Sequence, residues 1–316
     1  MEEFLQKLLH SDHLKSEFTF IEEIRSADLS KSTYARLAES FSFMFVREPY
    51  SRLFSAYENK LYLPNKFWTQ LGIDIINRVR NPRTSVDTGH DVTFSEMIQY
   101  VVIKHNFGES LNQHLEPMHE RCNPCMVKFD FIGKLETMGK DIEFLVDHLQ
   151  DSGVIERLTT YNNAEHIETE IRNNQWSGPV SKLYTILNTK QTNISIKNLF
   201  LRTWSSYHIR GVILKQYEMP FVDNLMEITE QRYSAALTAA IEQSRDHKDE
   251  LKLQKHEALV QAYRTVPLNL MHELRTFVKH DCQLFGYEEM PDKLFSRNST
   301  PGNVFNYLKG LGFGCP

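Results

Sequence analysis

The sequence predicts an α/β fold, a small parallel sheet carrying many helices, and three observations lead there. Two short runs, Phe41-Ser-Phe-Met-Phe-Val46 and Lys128-Phe-Asp-Phe-Ile-Gly133, have the length and aromatic content of buried strands. Each is followed by a segment whose apolar residues recur at helical spacing. Much of the remaining chain, notably Thr238–Gln261, is rich in Ala, Glu, Lys and Gln and poor in β-branched residues, which favours solvated helices. Few strands among many helices describe an α/β core with helical additions.

The elements follow in order. Residues 1–40 read as helices, with Phe4, Leu5, Leu8 and Leu9 on one face. After the first strand, Pro49 is placed for the first turn of a helix carrying Leu53, Phe54, Ala56 and Tyr57. Thr93-Phe-Ser-Glu96 has the form of a capping box before Met97, Ile98, Val101 and Val102. The second strand ends at Gly133, and helical spacing resumes from Thr137 to Leu149. Pro267 opens a further helix through Leu270, Leu274 and Val278 towards Phe285-Gly286-Tyr287. The tail after Ser296 mixes Gly, Asn, Ser and Pro with apolar residues and reads as loosely ordered at its end. No fixed-period repeat and no Gly/Ser linker divides the 316 residues, so a single domain is expected.

The composition, 41% hydrophobic and 24% charged, is that of an ordinary globular protein rather than a fibrous or low-complexity chain. With 36 Lys and Arg against 41 Asp and Glu, the net charge is -5, which argues against a global nucleic-acid binder. No window holds the roughly 18 apolar residues of a membrane span, and Met1-Glu2-Glu3-Phe4 lacks the character of a signal peptide. Taken literally, this is a soluble intracellular chain.

The four cysteines, Cys122, Cys125, Cys282 and Cys315, contest that reading. Cys122-x-x-Cys125 fits a redox motif, half a metal site or a disulfide of an oxidising compartment. A zinc site with His114 and His119 is the weaker reading, because Pro124 separates the cysteines and no second C-x-x-C follows. Asn193-Ile-Ser195 and Asn298-Ser-Thr300 are glycosylation sequons compatible with a secretory lumen.

Chemistry concentrates in Phe45-Val-Arg47-Glu-Pro49-Tyr-Ser-Arg52-Leu-Phe-Ser55-Ala-Tyr57, a strand ending in arginine, a tight turn and a helix start. Unpaired N–H groups at such a helix start favour an anion, Arg47 can grip a phosphate with a fork of donors, and Ser55 can add a hydroxyl. The alternative is that Arg47 and Arg52 pair with Glu48 or Glu58 on a solvated surface. No G-x-x-x-x-G-K-[ST] is present, which disfavours a standard P-loop ATPase or kinase. Residues 45–85 carry a local excess of four positive charges, suited to a nucleotide or to a sulfated or uronate-bearing glycan. For Arg78, Arg80 and Arg83 a solvated helix face is the favoured reading.

Arg47-x-Pro49-x-x-Arg52-x-x-Ser55-Ala-Tyr57 resembles the 3′-phosphate-binding motif of Golgi carbohydrate sulfotransferases, most of all the chondroitin, dermatan and HNK-1 group. His114-Leu-Glu-Pro117, Cys122-Asn-Pro-Cys125 and Asp130-Phe-Ile-Gly133-Lys134-Leu-Glu136-Thr137 resemble a second block of the same family. Phe277-Val-Lys-His-Asp281-Cys-Gln-Leu-Phe285-Gly-Tyr287 is similar to its C-terminal helix. The resemblance covers about 41–150 and a patch at 270–287.

It implies a P-loop-like sulfotransferase core at 41–150, a largely helical insertion at 155–265 and a C-terminal core helix at 267–290. It also implies the donor nucleotide PAPS, with Arg47 and Ser55 on its 3′-phosphate and Arg52 beside them, and a glycan hydroxyl as acceptor. No metal and no nucleic acid are implied. His114 becomes the candidate base that takes the hydroxyl proton, the alternative being a structural histidine that orients a loop. Asp130 and Glu136 are set aside as bases because their places beside Phe131 and Lys134 fit strand-end pairing. A Cys122–Cys125 disulfide, sugars on Asn193 and Asn298, and a place on the lumenal face of the Golgi membrane, held by a helix upstream of this chain, complete the picture. The family's lysine loop for the 5′-phosphosulfate should precede the helices before Phe41, and those helices begin almost at Met1. The expectation is therefore an N-terminally truncated fold with little transfer of its own, the alternative being an inactive relative that binds nucleotide or glycan.

Overall fold

Alternation along β1 (Phe43–Val46) sends Met44 and Val46 to one face and Phe43 and Phe45 to the other. The structure is a computed structural model and describes residues 41–80, 88–153, 178–188, 194–221 and 228–297. The sequence expectations for 1–40, Arg83, Asn193, Asn298, Cys315 and the tail from 298 lie outside the described residues.

After β1 come α1 (Pro49–Tyr57), a π-helical turn (Glu58–Tyr62), a 3-10 turn (Lys66–Thr69), α2 (Leu71–Val79), α3 (Phe94–Asn106) and α4 (Met118–Cys122). β2 (Phe131–Lys134), a 3-10 turn (Leu135–Thr137) and α5 (Met138–Asp151) follow. Residues 178–188 are helical. The chain continues through α6 (Ile196–Ile209), α7 (Glu230–Ser244), α8 (Lys248–Arg264), α9 (Leu268–Phe285) and α10 (Asp292–Phe295). The fold is thus mostly helical with a small parallel sheet. Pro49 and the Thr93–Glu96 capping box open α1 and α3 as their sequences require.

The chain divides into two compact units. The first comprises residues up to Arg52, Glu116–Gln175 and Val278–Glu289; the second comprises Leu53–Leu115, Trp176–Phe277 and Met290 onward.

In the first unit β1 and β2 pair in parallel, Phe43 opposite Phe131 and Phe45 opposite Gly133. The Asp130 carboxylate accepts the Ser42 N–H at 2.8 Å and its hydroxyl at 3.0 Å, while the Ser42 carbonyl accepts the Asp130 N–H at 2.8 Å. That is the strand-end pairing anticipated for Asp130. Met44 and Val46 pack with Phe285, Met118, Cys122, Phe129 and Tyr287, and the opposite face sets Phe43, Phe45 and Phe131 against Leu145 and Leu149 of α5.

The second unit has a larger apolar core, built on Trp68, Phe200, Trp204, Tyr207 and Tyr233. Glu58 is buried in a pair with Arg210, at 3.0 and 2.9 Å. Arg202 is buried beneath the Tyr62 and Trp68 rings and donates to the His90 carbonyl at 2.7 Å. His208 is held near the Tyr217 carbonyl, 3.0 Å from Nε2, and burial pushes its pKa down to about 4.

Two outcomes follow from this packing. A Cβ on Gly133 would stand 2.4 Å from the Phe45 ring, so Gly133→Ala should destabilise the protein by about 1–3 kcal/mol in urea unfolding. Adding Phe45→Leu should recover part of that loss, and an unchanged stability for Gly133→Ala would refute the contact. The folded pKa of His208 lies below the ordinary histidine value near 6.5, so the unfolded chain takes up the proton first as pH falls. His208 should therefore contribute fully above about pH 6.5 and lose about 2–3 kcal/mol by pH 4. Comparison of the unfolding free energies of wild type and His208→Gln across that window checks this, and parallel pH profiles would contradict it.

Candidate functional site

The turn between β1 and α1 holds Arg47, and its geometry is set by two glutamates. Pro49 lacks an N–H, and the next two are taken by the Glu48 side chain, from Tyr50 at 3.1 Å and Ser51 at 2.7 Å. This corrects the expectation of a helix start with free N–H groups for an external anion: the carboxylate two residues before Tyr50 already fills that end. The N–H of Glu48 donates to Glu136 Oε1 at 2.9 Å, and Glu136 Oε2 accepts the Tyr287 hydroxyl at 2.8 Å. Burial, and next the Glu136 carboxylate, raise the Tyr287 pKa. The Lys134 ammonium stands 4.5 Å from the centre of the Tyr287 ring. Three stretches distant in sequence meet at Glu136, which serves as a tie rather than a base.

A second tie in this unit is Asp281, 3% exposed. Its carboxylate accepts the N–H groups of Met118 at 2.7 Å and His119 at 2.8 Å, and lies 2.7 Å from His119 Nδ1. It thereby caps α4, the turn that delivers Cys122. The Arg52 guanidinium donates to the Glu116 carbonyl; burial lowers its pKa against the opposing effect of Asp281. Asn123, in a left-handed conformation at φ 43°, ends α4 between the two cysteines. Among the described residues Cys122, Cys125 and Cys282 form no disulfide. Burial raises the Cys122 thiol above its ordinary value and pushes Cys282 up to about 12, the reverse of what a redox nucleophile needs. Among the described residues no three His, Cys, Asp or Glu side chains are grouped to hold a metal. No helix among them is long and apolar enough to cross a membrane.

In the second unit Ser55 lies half-buried within α1, and no hydrogen bond engages its hydroxyl among the described residues. His114 is half-buried in the loop before α4; its N–H donates to Asn112 Oδ1 at 3.1 Å, and its ring meets Phe67 edge-on, with centroids 5.3 Å apart. Arg78 pairs with Glu109, and Arg80 with Asp91 and Glu96 at 2.6 Å each, as the solvated-face reading has it.

Sequence reasoning passed over Glu48 as a cap and over Glu136, Tyr287 and Asp281 as ties. Only Glu48 had a local signal, a carboxylate directly before a proline at a helix start. The others depend on pairings 88 to 163 residues apart.

The sequence matches a family described as the sulfotransferase family over residues 3–202. Human Carbohydrate sulfotransferase 14 is 35% identical over 133 residues, 42% of this chain and 34% of the relative. Mouse Carbohydrate sulfotransferase 11 is 31% identical over 174 residues, 52% of this chain and 49% of the relative, and mouse Carbohydrate sulfotransferase 8 is 34% identical over 114 residues, 35% of this chain and 27% of the relative. The chain thus spans about a third to a half of the length of the first two. No solved structure matches it.

The Glu136 tie makes a prediction that separates geometry from charge. Glu136→Ala strands a backbone donor and the Tyr287 hydroxyl and should cost about 1–3 kcal/mol of unfolding free energy. Glu136→Gln can still accept from Glu48 through its oxygen and donate to Tyr287, so it should cost less than half as much. Equal losses for the two variants would rule the tie out.

Proposed function

The chain belongs to the sulfotransferase family, and from that premise we propose that it moves a sulfuryl group from PAPS to a hydroxyl of a glycan. The reading is carried by the strand–turn–helix of β1 and α1, with Arg47 directly after the strand and Ser55 within the helix, inside the family match. Arg47 supplies a fork of charged donors to the 3′-phosphate and Ser55 a neutral hydroxyl. Arg52 adds positive charge while its guanidinium holds the Glu116 carbonyl. The Glu48 carboxylate on the α1 N–H groups means that the phosphate must be met by side chains rather than by the helix end.

The acceptor hydroxyl attacks sulfur as the bond from sulfur to the 5′-phosphate oxygen breaks, and adenosine 3′,5′-bisphosphate leaves with the electron pair. In this proposal His114 takes the hydroxyl proton, and its edge contact with Phe67 fixes the ring. The reading includes a P-loop-like core, no requirement for a metal, a Cys122–Cys125 disulfide formed in an oxidising lumen, and residence at the Golgi membrane.

Arg47→Ala should weaken binding of adenosine 3′,5′-bisphosphate by about 2–4 kcal/mol, and Ser55→Ala by about 1 kcal/mol, in calorimetry. Adenosine 5′-phosphate should bind more weakly than the bisphosphate to wild type and be insensitive to both substitutions. Equal wild-type affinity for the two nucleotides would defeat the assignment. Transfer of labelled sulfate to a chondroitin acceptor tests the activity itself, and its abolition by His114→Ala with nucleotide binding intact is the outcome expected for the base.

A further inference from the structure

The backbone donors from Glu48 to Arg52 can be followed one by one. The N–H of Glu48 is held by Glu136 Oε1 at 2.9 Å, and Pro49 has none. Those of Tyr50 and Ser51 are held by Glu48 Oε1 and Oε2, at 3.1 and 2.7 Å. That of Arg52 goes to the Glu48 carbonyl at 2.9 Å. A turn from a strand into a helix ordinarily points such donors at a bound oxyanion. Here the two oxygens of Glu48 sit where two oxygens of a sulfate or phosphate would be received. The chain supplies its own oxyanion.

The surrounding charge acts in the same direction. Glu136 and Asp141 bring two more carboxylates to the strand ends, each engaged by donors of the chain. Glu136 accepts from the Glu48 N–H and the Tyr287 hydroxyl, and Asp141 from the Lys134 N–H and the Thr137 hydroxyl, both at 2.7 Å. The charge of Glu48 is felt beyond its own bonds. Burial first, and then that carboxylate, push the Cys282 thiol up to about 12, and Glu48 adds to burial and Glu136 in raising Tyr287. Arg47 and Lys134, at the ends of the paired strands, stand among these three acids. A small tetrahedral anion drawn to Arg47 meets a carboxylate one residue away, and the donors of residues 48–52 are already taken.

We propose that Glu48 is a specificity-determining residue, an internal anion that keeps inorganic sulfate and orthophosphate out of the turn and reserves Arg47 for a phosphate carried by a nucleotide. The inference rests on the sulfotransferase reading above and adds to it what the site rejects. A 3′-phosphate and an inorganic oxyanion offer Arg47 the same chemistry. They differ in what else they bring. The nucleotide has the contacts of its base, ribose and second phosphate to set against the repulsion of the carboxylate, whereas the inorganic ion has only its charge.

The experiment is calorimetry of the full chain with sodium sulfate, sodium phosphate and adenosine 3′,5′-bisphosphate. Glu48→Ala bares the Tyr50 and Ser51 N–H groups and keeps that of Glu48 on Glu136. It should bind sulfate and phosphate at least about tenfold more tightly than wild type, the scale of one or two charge-assisted contacts. Affinity for the bisphosphate should rise less, so the ratio between nucleotide and inorganic ion falls. Glu48→Asp, whose shorter carboxylate can still cap a helix, should keep the wild-type ratio. Glu48→Gln keeps an acceptor and loses the charge; it should show a smaller gain of the same sign, and it decides the matter if the alanine variant fails to fold. A cap with only a structural role would give no gain for the inorganic ions, and that result overturns the proposal. An equal gain for all three ligands overturns it as well. Failure of wild type to bind the bisphosphate, with the gain in sulfate binding intact, would instead count against the sulfotransferase reading and leave the exclusion by Glu48 standing.

Discussion

The Glu136 carboxylate is the constraint on which the first unit depends. One oxygen holds the Glu48 N–H and the other the Tyr287 hydroxyl. Without it the turn after β1 has two backbone bonds to choose and nothing to choose them. With it, Glu48 is oriented so that its own side chain can cap α1, and Arg47 is presented from a peptide fixed on its C-terminal side. The parallel pairing of β1 and β2 gives Glu136 its reach, because it sets the end of β2 beside the end of β1, with Val46 opposite Lys134. Among the described residues the sheet has two strands, a marginal unit alone, and both its faces are covered, by Phe285 and Tyr287 on one side and by α5 on the other.

Asp281 plays the corresponding part for the cysteine segment. A buried carboxylate is costly unless its oxygens are filled, and Met118, His119 and the His119 ring fill them. The result is a short helix whose ordinary instability, at five residues, is offset by a charged cap. Cys122 leaves that helix into apolar surroundings with Met44 and Val46, which explains its raised thiol better than any reactive role.

Much of this was legible in the sequence where the signal is local. The aromatic runs marked both strands, Pro49 marked the start of α1, and the Thr93–Glu96 box marked α3. Arg47, Ser55 and His114 were singled out by the resemblance to a family motif rather than by spacing alone, and their roles belong to the proposed function. The ties that hold the site were illegible for a physical reason: a glutamate in a strand-end sequence looks the same whether it meets solvent or a backbone N–H 88 residues away. The π-helical turn was equally hidden, since Glu58-Asn-Lys-Leu-Tyr62 has no residue that forbids α winding. The anionic role read into the start of α1 failed because residue counting shows that a helix N-terminus exists, and not that the preceding glutamate has already occupied it.

That occupation changes how a phosphate can be recognised on the proposed reading. A free helix N-terminus binds any anion of suitable size, with backbone donors that carry little discrimination. With the first N–H groups satisfied by Glu48, affinity for a 3′-phosphate must come from the side chains of Arg47 and Ser55. A planar guanidinium matches a phosphate through two parallel donors, whereas an ammonium offers a point charge, so the demand falls on arginine specifically. The capping carboxylate also places a negative charge one residue from Arg47, which disfavours anions that approach without the arginine fork. A comparable internal pairing recurs after Ser55, where Glu58 is held by Arg210. In both places a glutamate of the chain settles the internal electrostatics, Glu48 on the N–H groups at the start of α1 and Glu58 on the Arg210 guanidinium.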